Sequence, residues 1–353
     1  MRVAHHLPIR RALRNVRAES LKLAGRAGKI RLDMNENTSG CSPAVCRAIA
    51  RLRPAEIAQY PPYDRATRAI ARFLRVRPGE IALANGADDA LRTVFDAFVD
   101  SGSAVAFPEP TFPMYRFLSQ VFGARPMTAR FDSTMRFPLQ DILALLRRRP
   151  RVLFLANPNN PTGTLLSAKE LRRILNAATH TAVVVDEAYV EFSHFTVVPW
   201  IRRYPHLVVV RTFSKAAGLA GLRLGCLVAR SEVAALFRRV MPPFPVNAAA
   251  LVAAEAAIRD RTTVRKYIRS VEQERHNLAK TLARMGVKTF PSAANFLLAD
   301  FGPSAPELVR RLDRDGILVS DRSPGFGRPG PVRITIGTPQ EMRKLIRAVR
   351  RHF

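Results

Sequence analysis

The 353-residue chain predicts an α/β protein: a large domain with a mostly parallel sheet flanked by helices, plus a smaller α+β domain. Three observations carry this. Short apolar runs alternate with helical patterns through the middle of the chain, as parallel strands covered on both faces require. Three prolines in MPPFPVN, residues 241–247, interrupt the helical patterns and mark a boundary. Beyond them a long helical stretch, from about Ala248 to Gly286, is followed by further strand patterns.

The first thirty residues are Arg-rich, with Glu19 the sole acid between Arg2 and Arg31, which raises the question of a transit peptide. Serine is nearly absent there and the segment runs unbroken into LDMNEN, so we read it as a structural arm. Strands are expected at Ile81–Leu83, Ala104–Phe107, Val152–Leu155, Ala182–Val185, Leu207–Val210 and Leu224–Val228. Helices are expected between them, for example over Asp88–Val99 and Ala168–Asn176. Asn295–Asp300 and Val332–Ile336 read as strands of the second domain. The expected division is an arm over residues 1–35 contributing to the small domain, a large domain over 36–245 and a small domain over 246–353.

Lys plus Arg number 57 against 28 Asp plus Glu, a net charge of +29. Nucleic acid is the obvious partner for such a charge, but the basic residues are spread along the chain and no nucleic-acid-binding motif accompanies them. A broad positive field that favours anionic substrates is the better reading. Three cysteines, Cys41, Cys46 and Cys226, form no CxxC pair, so no metal site is expected and a reducing, cytoplasmic setting fits. No apolar run approaches the roughly 20 residues needed to span a bilayer.

Several polar groups fall just after predicted strands, where open α/β sheets hold their ligands. LANGADDA places Asn85, Gly86, Ala87 and Asp88 between a strand and a helix, which suits a phosphate or is an ordinary cap. NPNNPTG, residues 157–163, follows VLFLA and is equally compatible with a turn. VVVDEAY ends an apolar strand on Asp186, a carboxylate that is costly to bury without a cation. In RTFSKAAGLAGLRLG, residues 211–225, Lys215 is surrounded by small and apolar residues, a setting that favours its neutral form. Arg223 lies eight residues on. A nucleophilic lysine, a strand-end aspartate, and an arginine with a helix N-terminus make up the inventory for pyridoxal 5′-phosphate.

NPNNPTG, VDEAY and TFSKAAGLAGLRLG, in this order, resemble the fold-type-I aminotransferases, and most closely the histidinol-phosphate aminotransferase branch. LDMNENTSGCSP, YPPYD at 60–64, PTFPMY at 110–115, ANFLL ending at Leu298 and VRITIGT at 332–338 extend the likeness over nearly the whole chain. The resemblance implies an aspartate-aminotransferase-like fold and a ping-pong transamination in which Lys215 forms a Schiff base with the cofactor and shuttles a proton. It also implies that Asp186 pairs with the ring nitrogen, Tyr189 and Asn160 hydrogen-bond the ring oxygen, and Phe112 stacks on the ring. Gly86, Ala87, Asp88, Thr212, Ser214 and Arg223 would surround the phosphate. Tyr60 would reach a neighbouring subunit's phosphate, which implies a homodimer. Arg333 is the implied substrate-side arginine, with an amine donor and a 2-oxo acid as substrates; Arg322 and Asn35 are taken as further substrate-side candidates.

The likeness breaks on the substrate side. Histidinol-phosphate members carry an arginine in a GIxVRD segment; here GILVSDR places Ser320 at that position. Arg322, two residues on, would face the same side of an extended strand. The arm also lacks the tyrosine such enzymes use, its nearest counterpart lying around Ala18. An aminotransferase of an aromatic or specialised amino acid, or a phospho-amino-acid decarboxylase, would share the same cofactor site.

Overall fold

A computed structural model describes residues 8–16 and 24–353. Its strands are β1 (Ile30–Leu32), β2 (Ile81–Ala84), β3 (Ala104–Glu109), β4 (Arg125–Arg130), β5 (Val152–Ala156), β6 (Ala182–Asp186), β7 (Leu207–Thr212), β8 (Gly225–Val228), β9 (Lys288–Phe290), β10 (Phe296–Asp300), β11 (Ile317–Asp321) and β12 (Pro331–Thr335). They form two sheets. The seven-stranded sheet runs β2-β8-β7-β6-β5-β3-β4, and the five-stranded sheet runs β1-β11-β12-β10-β9.

In the larger sheet, β4, β3, β5, β6 and β7 pair in parallel, and β8 alone lies antiparallel to its neighbours β7 and β2. VLFLA, AVVVD and LVVVRT supply its centre because unbroken apolar runs suit strands buried on both faces. One face packs Ile142, Leu171, Ile174 and Leu207, and the other packs Phe95, Phe107, Phe154 and Phe237, all essentially without solvent exposure. The one strand of this sheet without an apolar run is β4, RPMTAR. It lies at the sheet edge, where a proline and charged ends are tolerated.

The smaller sheet takes β1 from the N-terminal segment: Ile30, Arg31 and Leu32 pair in parallel with Ile317, Leu318 and Val319. Its other pairings are antiparallel. The arm's earlier turn, Arg11–Asn15, instead lies on the larger unit, where Arg10 sits 5.9 Å over the Phe122 ring. The position around Ala18 lies outside the described residues.

The stretch expected as helix from Ala248 to Gly286 is two helices, Ala248–Arg259 and Arg261–Arg284, broken at Asp260. Asp260 caps the second helix by accepting from the Thr263 N–H and hydroxyl, and it also accepts a hydrogen bond from Ser42. Ala250, Ala253 and Ala254 belong to the core of the larger sheet, whereas Ile268, Val271, Leu278 and Leu282 belong to that of the smaller. On packing we place the changeover at Asp260, fifteen residues beyond the proline-marked boundary. Among the described residues no helix is long and apolar enough to cross a membrane.

Candidate active site

The ends of β2, β6 and β7 and the start of β8 meet along one edge of the larger sheet. Ala84 of β2 and Thr212 of β7 both pair with Gly225 of β8, and Asp186 of β6 lies between Ala156 of β5 and Val210 of β7. The Gly86–Phe98 helix therefore begins beside Thr212 and Ser214, and NPNNPTG follows β5 beside Asp186. This is how the sheet collects groups widely separated in sequence.

Asp186 is 4% exposed. Its carboxylate accepts from the Tyr115 hydroxyl at 2.9 Å and from the Ala188 N–H at 3.1 Å. Burial pushes its pKa up to about 6, against the Tyr115 hydrogen bond, which lowers it. Among the described residues no cation forms an ion pair with it. Tyr115 itself is held by stacking on Phe154 at 5.0 Å and by an edge contact with Phe112 at 5.9 Å. Burying a ring of this size is worth ~2–3 kcal/mol, so the hydroxyl is fixed where it stands. Its part in the site was legible only as a letter in PTFPMY.

Lys215 is half-buried, and its Nζ donates to the Met34 carbonyl at 3.1 Å. Burial, helped by the positive field of Arg333, brings its pKa down to about 8. The amine also lies 5.7 Å from the centre of the Tyr189 ring.

At the other end, Arg223 lies against the N-terminus of the Gly86–Phe98 helix and donates to Asp88 at 2.8 Å. A Cβ on Gly86 would meet the Arg223 guanidinium at 2.6 Å, so glycine is what lets the cation approach the helix end. The first-turn N–H groups there have no partner within the helix. Thr212 and Ser214 complete this corner with hydroxyls 2.9 Å apart.

On the smaller sheet's side, Arg333 of β12 donates to Asn160 at 2.5 Å and to the Asp33 carbonyl, while its Nε is buried without a partner among the described residues. Burial brings its pKa down to about 10, although the nearby Tyr189 raises it. Asn35 donates to the Tyr189 hydroxyl at 2.9 Å from a left-handed backbone with φ 54°. Thr335 and Asn295, which sequence reasoning did not assign, hold Asn35 through its backbone and side chain. Arg322 follows β11 and heads a short helical turn, close enough for its charge to act on both Arg333 and Tyr189. Tyr60 is not brought to this site; it is 76% exposed and stacks on Phe244 at 4.0 Å.

The residues fit pyridoxal 5′-phosphate. Asp186 is a buried carboxylate lacking a cation, as a protonated ring nitrogen would need. The glycine-cleared corner of Arg223, hydroxyls and helix N–H groups suits a phosphate. No group of three His, Cys, Asp or Glu among the described residues could hold a metal ion.

Comparison with known proteins agrees with this geometry. The family model "Aminotransferase class I and II" matches residues 27–349. The chain is similar to a histidinol-phosphate aminotransferase of Anaeromyxobacter sp. (strain Fw109-5), with 38% identity over 329 residues, 91% of this chain and 90% of the relative. Among solved structures it is similar to the histidinol-phosphate aminotransferase of Sinorhizobium meliloti in complex with pyridoxal-5′-phosphate, with TM-score 0.84, 27% identity, and coverage of 92% and 91% of the two chains. It is also similar to the L-threonine-O-3-phosphate decarboxylase of Porphyromonas gingivalis, with TM-score 0.80, 26% identity, and coverage of 91% and 98%.

Proposed function

The chain belongs to the class I and II aminotransferases, and we propose that within this family it transfers the amine of histidinol phosphate to 2-oxoglutarate, a step of histidine biosynthesis in the cytoplasm. The observation that carries the reading is a second arginine, Arg322, whose N–H bonds to Pro331 at the end of the same β11–β12 ladder that carries Arg333. Two guanidiniums suit a substrate pair whose members carry a phosphate or two carboxylates. The names of the curated relatives support the phosphate.

Pyridoxal 5′-phosphate, when bound, supplies a carbonyl to receive the donor amine and a ring that accepts the electrons of the broken carbon–hydrogen bond. Asp186 would hold the ring nitrogen protonated. Arg223, Ser214, Thr212 and the helix N–H groups of Gly86, Ala87 and Asp88 would hold the phosphate. Tyr189 and Asn160 would bind the ring oxygen, and Phe112 would cover the ring face. Asn35 orients Tyr189, and Arg333 orients Asn160. Lys215 Nζ, neutral above pH about 8 because of its burial, would take the proton from the donor's amine-bearing carbon and return it within the site. Arg333 and Arg322 would position the anionic groups of donor and acceptor in turn.

We propose further that the enzyme is a homodimer. Ile57, Tyr60 and Phe244 are exposed large apolar side chains, and a partner subunit would cover them while receiving Tyr60 at its own phosphate corner.

The decarboxylase likeness favours one competing reading, loss of carbon dioxide from a phosphorylated amino acid. A single-turnover spectrum separates the two. Cofactor-loaded protein is mixed in turn with histidinol phosphate, glutamate, phenylalanine and phosphothreonine. Loss of the visible band with histidinol phosphate and with glutamate, and no carbon dioxide, is expected. A response to glutamate or phenylalanine without one to histidinol phosphate would discard that substrate, and carbon dioxide from phosphothreonine would favour the decarboxylase.

A further inference from the structure

Behind the Lys215 loop lies a cavity of about 470 Å³, and of its lining only Thr212 belongs to the proposed cofactor site. Five arginines line it: Arg72 and Arg75 from the end of the Asp64–Leu74 helix, and Arg261, Arg265 and Arg269 from the Arg261–Arg284 helix. No carboxylate of the described residues pairs with any of the five. The two acids that line the cavity are already engaged, Glu191 with Arg211 at 2.8 Å and Glu272 with His194 at 2.7 Å.

Arg261, Arg265 and Arg269 stand four residues apart on one helix face, where like charges repel. Arg75 takes a left-handed φ of 59° at the helix C-cap, a position that glycine fills at least cost. His194, on the same cavity wall, is also left-handed at φ 55°. The same lining includes apolar and aromatic side chains, Phe73, Phe213 and Ile268.

We infer that this cavity is a ligand site distinct from the catalytic one, taking a small organic anion with a flat apolar body and two or more negative charges. The apolar lining receives the ring, and the arginines of the two helices hold its charges. One wall is Thr212, Phe213, Ala216 and Ala217, which flank Lys215; the opposite wall is a helix that packs on the smaller sheet. An occupant bridges the Lys215 loop and the smaller unit, so binding alters turnover. The inference does not rest on which amine the enzyme uses.

The test is calorimetric titration of cofactor-loaded protein with naphthalene-1,5-disulfonate, a rigid aromatic dianion. One site per chain is expected, weakened at least tenfold by Arg265→Ala/Arg269→Ala and unchanged by Arg343→Ala/Arg347→Ala on the C-terminal helix. Uncharged 1,5-dihydroxynaphthalene and inorganic pyrophosphate should each bind at least tenfold more weakly, since each offers half of the complementarity. Both double variants alter exposed side chains, and an unchanged cofactor spectrum verifies that they fold. Absence of binding overturns the inference. So does binding that survives Arg265→Ala/Arg269→Ala, or that glutamate displaces competitively, which would put the anion in the catalytic cleft.

Discussion

Ser320 and Arg333 are direct partners in the antiparallel β11–β12 ladder, so their side chains leave the sheet on the same face. Position 320 therefore looks onto the same side of the sheet as the Arg333 guanidinium, and the serine leaves room there. Arg322, just beyond the strand end, brings its charge to the same place. Arg322→Met should raise the KM for histidinol phosphate by about 30–100-fold, the loss of one charge-assisted hydrogen bond of ~2–3 kcal/mol. Adding Ser320→Arg to that variant should recover part of the loss. Steady-state kinetics with an unchanged KM in Arg322→Met would remove Arg322 from the substrate site.

Lys215→Ala should keep the cofactor, because Arg223, Asp186 and the helix N-terminus remain, yet lose turnover by about 10⁴-fold or more. Gel filtration with a visible spectrum reads the first, and rapid mixing with glutamate reads the second. Near-normal transamination would show that another base moves the proton.

Much of this arrangement could be read from the sequence because the central strands are unbroken apolar runs and the polar groups follow them directly. Asp186 after VVV and Lys215 among alanines and glycines announce themselves by being costly where they are. Tyr115 does not, since an inward tyrosine on an amphipathic helix looks like core until its hydroxyl is found on Asp186. The Asp260 break is hidden because Thr262, Thr263 and Val264 continue an acceptable helical pattern; at Asp260 the carboxylate caps the second helix and also accepts a tertiary bond from Ser42. Strand β4 carries almost no apolar signal because, unlike the other edge strand β2, it leaves most of its side chains partly or fully exposed.

The exposed Tyr60 and Phe244 pair gives a prediction on assembly. Phe244→Glu should shift the protein from dimer to monomer in sedimentation at micromolar concentration, since it puts a charge into an apolar contact. Tyr60→Phe should leave the dimer intact and lower cofactor affinity by about 5–10-fold, the worth of one hydrogen bond. If wild-type protein sediments as a monomer with full cofactor affinity, Tyr60 serves no neighbour.

The carboxyl of Asp186 is held up at about 6, above its ordinary value of 3.8. The folded state therefore binds more protons than the unfolded state between those pH values, and this group's contribution to stability falls as pH rises through that window. Without cofactor the loss is at most ~3 kcal/mol. Asp186→Asn removes it, so denaturant midpoints of wild-type and variant apoprotein should diverge from pH 4 to 6, with wild type losing ground. A cofactor that supplies a cation should erase the divergence, and parallel pH curves in the apoprotein would contradict the assigned shift.

Gly86 and Gly225 meet at the phosphate corner but should fail differently when replaced by alanine. A Cβ on Gly225 would lie 2.7 Å from the Gly86 carbonyl carbon, 2.8 Å from the Arg211 oxygen and 2.9 Å from the Ala87 nitrogen, all backbone atoms of packed elements. None can step aside alone, so Gly225→Ala should cost about 1–3 kcal/mol of stability. A Cβ on Gly86 meets only the far end of Arg223, which can swing away, although the φ of 86° adds strain of about 1–2 kcal/mol. The displaced guanidinium is the larger consequence, because on the proposed reading it is the cation that would hold the phosphate. Gly86→Ala should therefore lose at least tenfold in affinity for pyridoxal 5′-phosphate while its apoprotein stays folded, read by fluorescence titration beside a thermal melt. Equal cofactor affinity in Gly86→Ala and wild type would mean that Arg223 does not hold the phosphate.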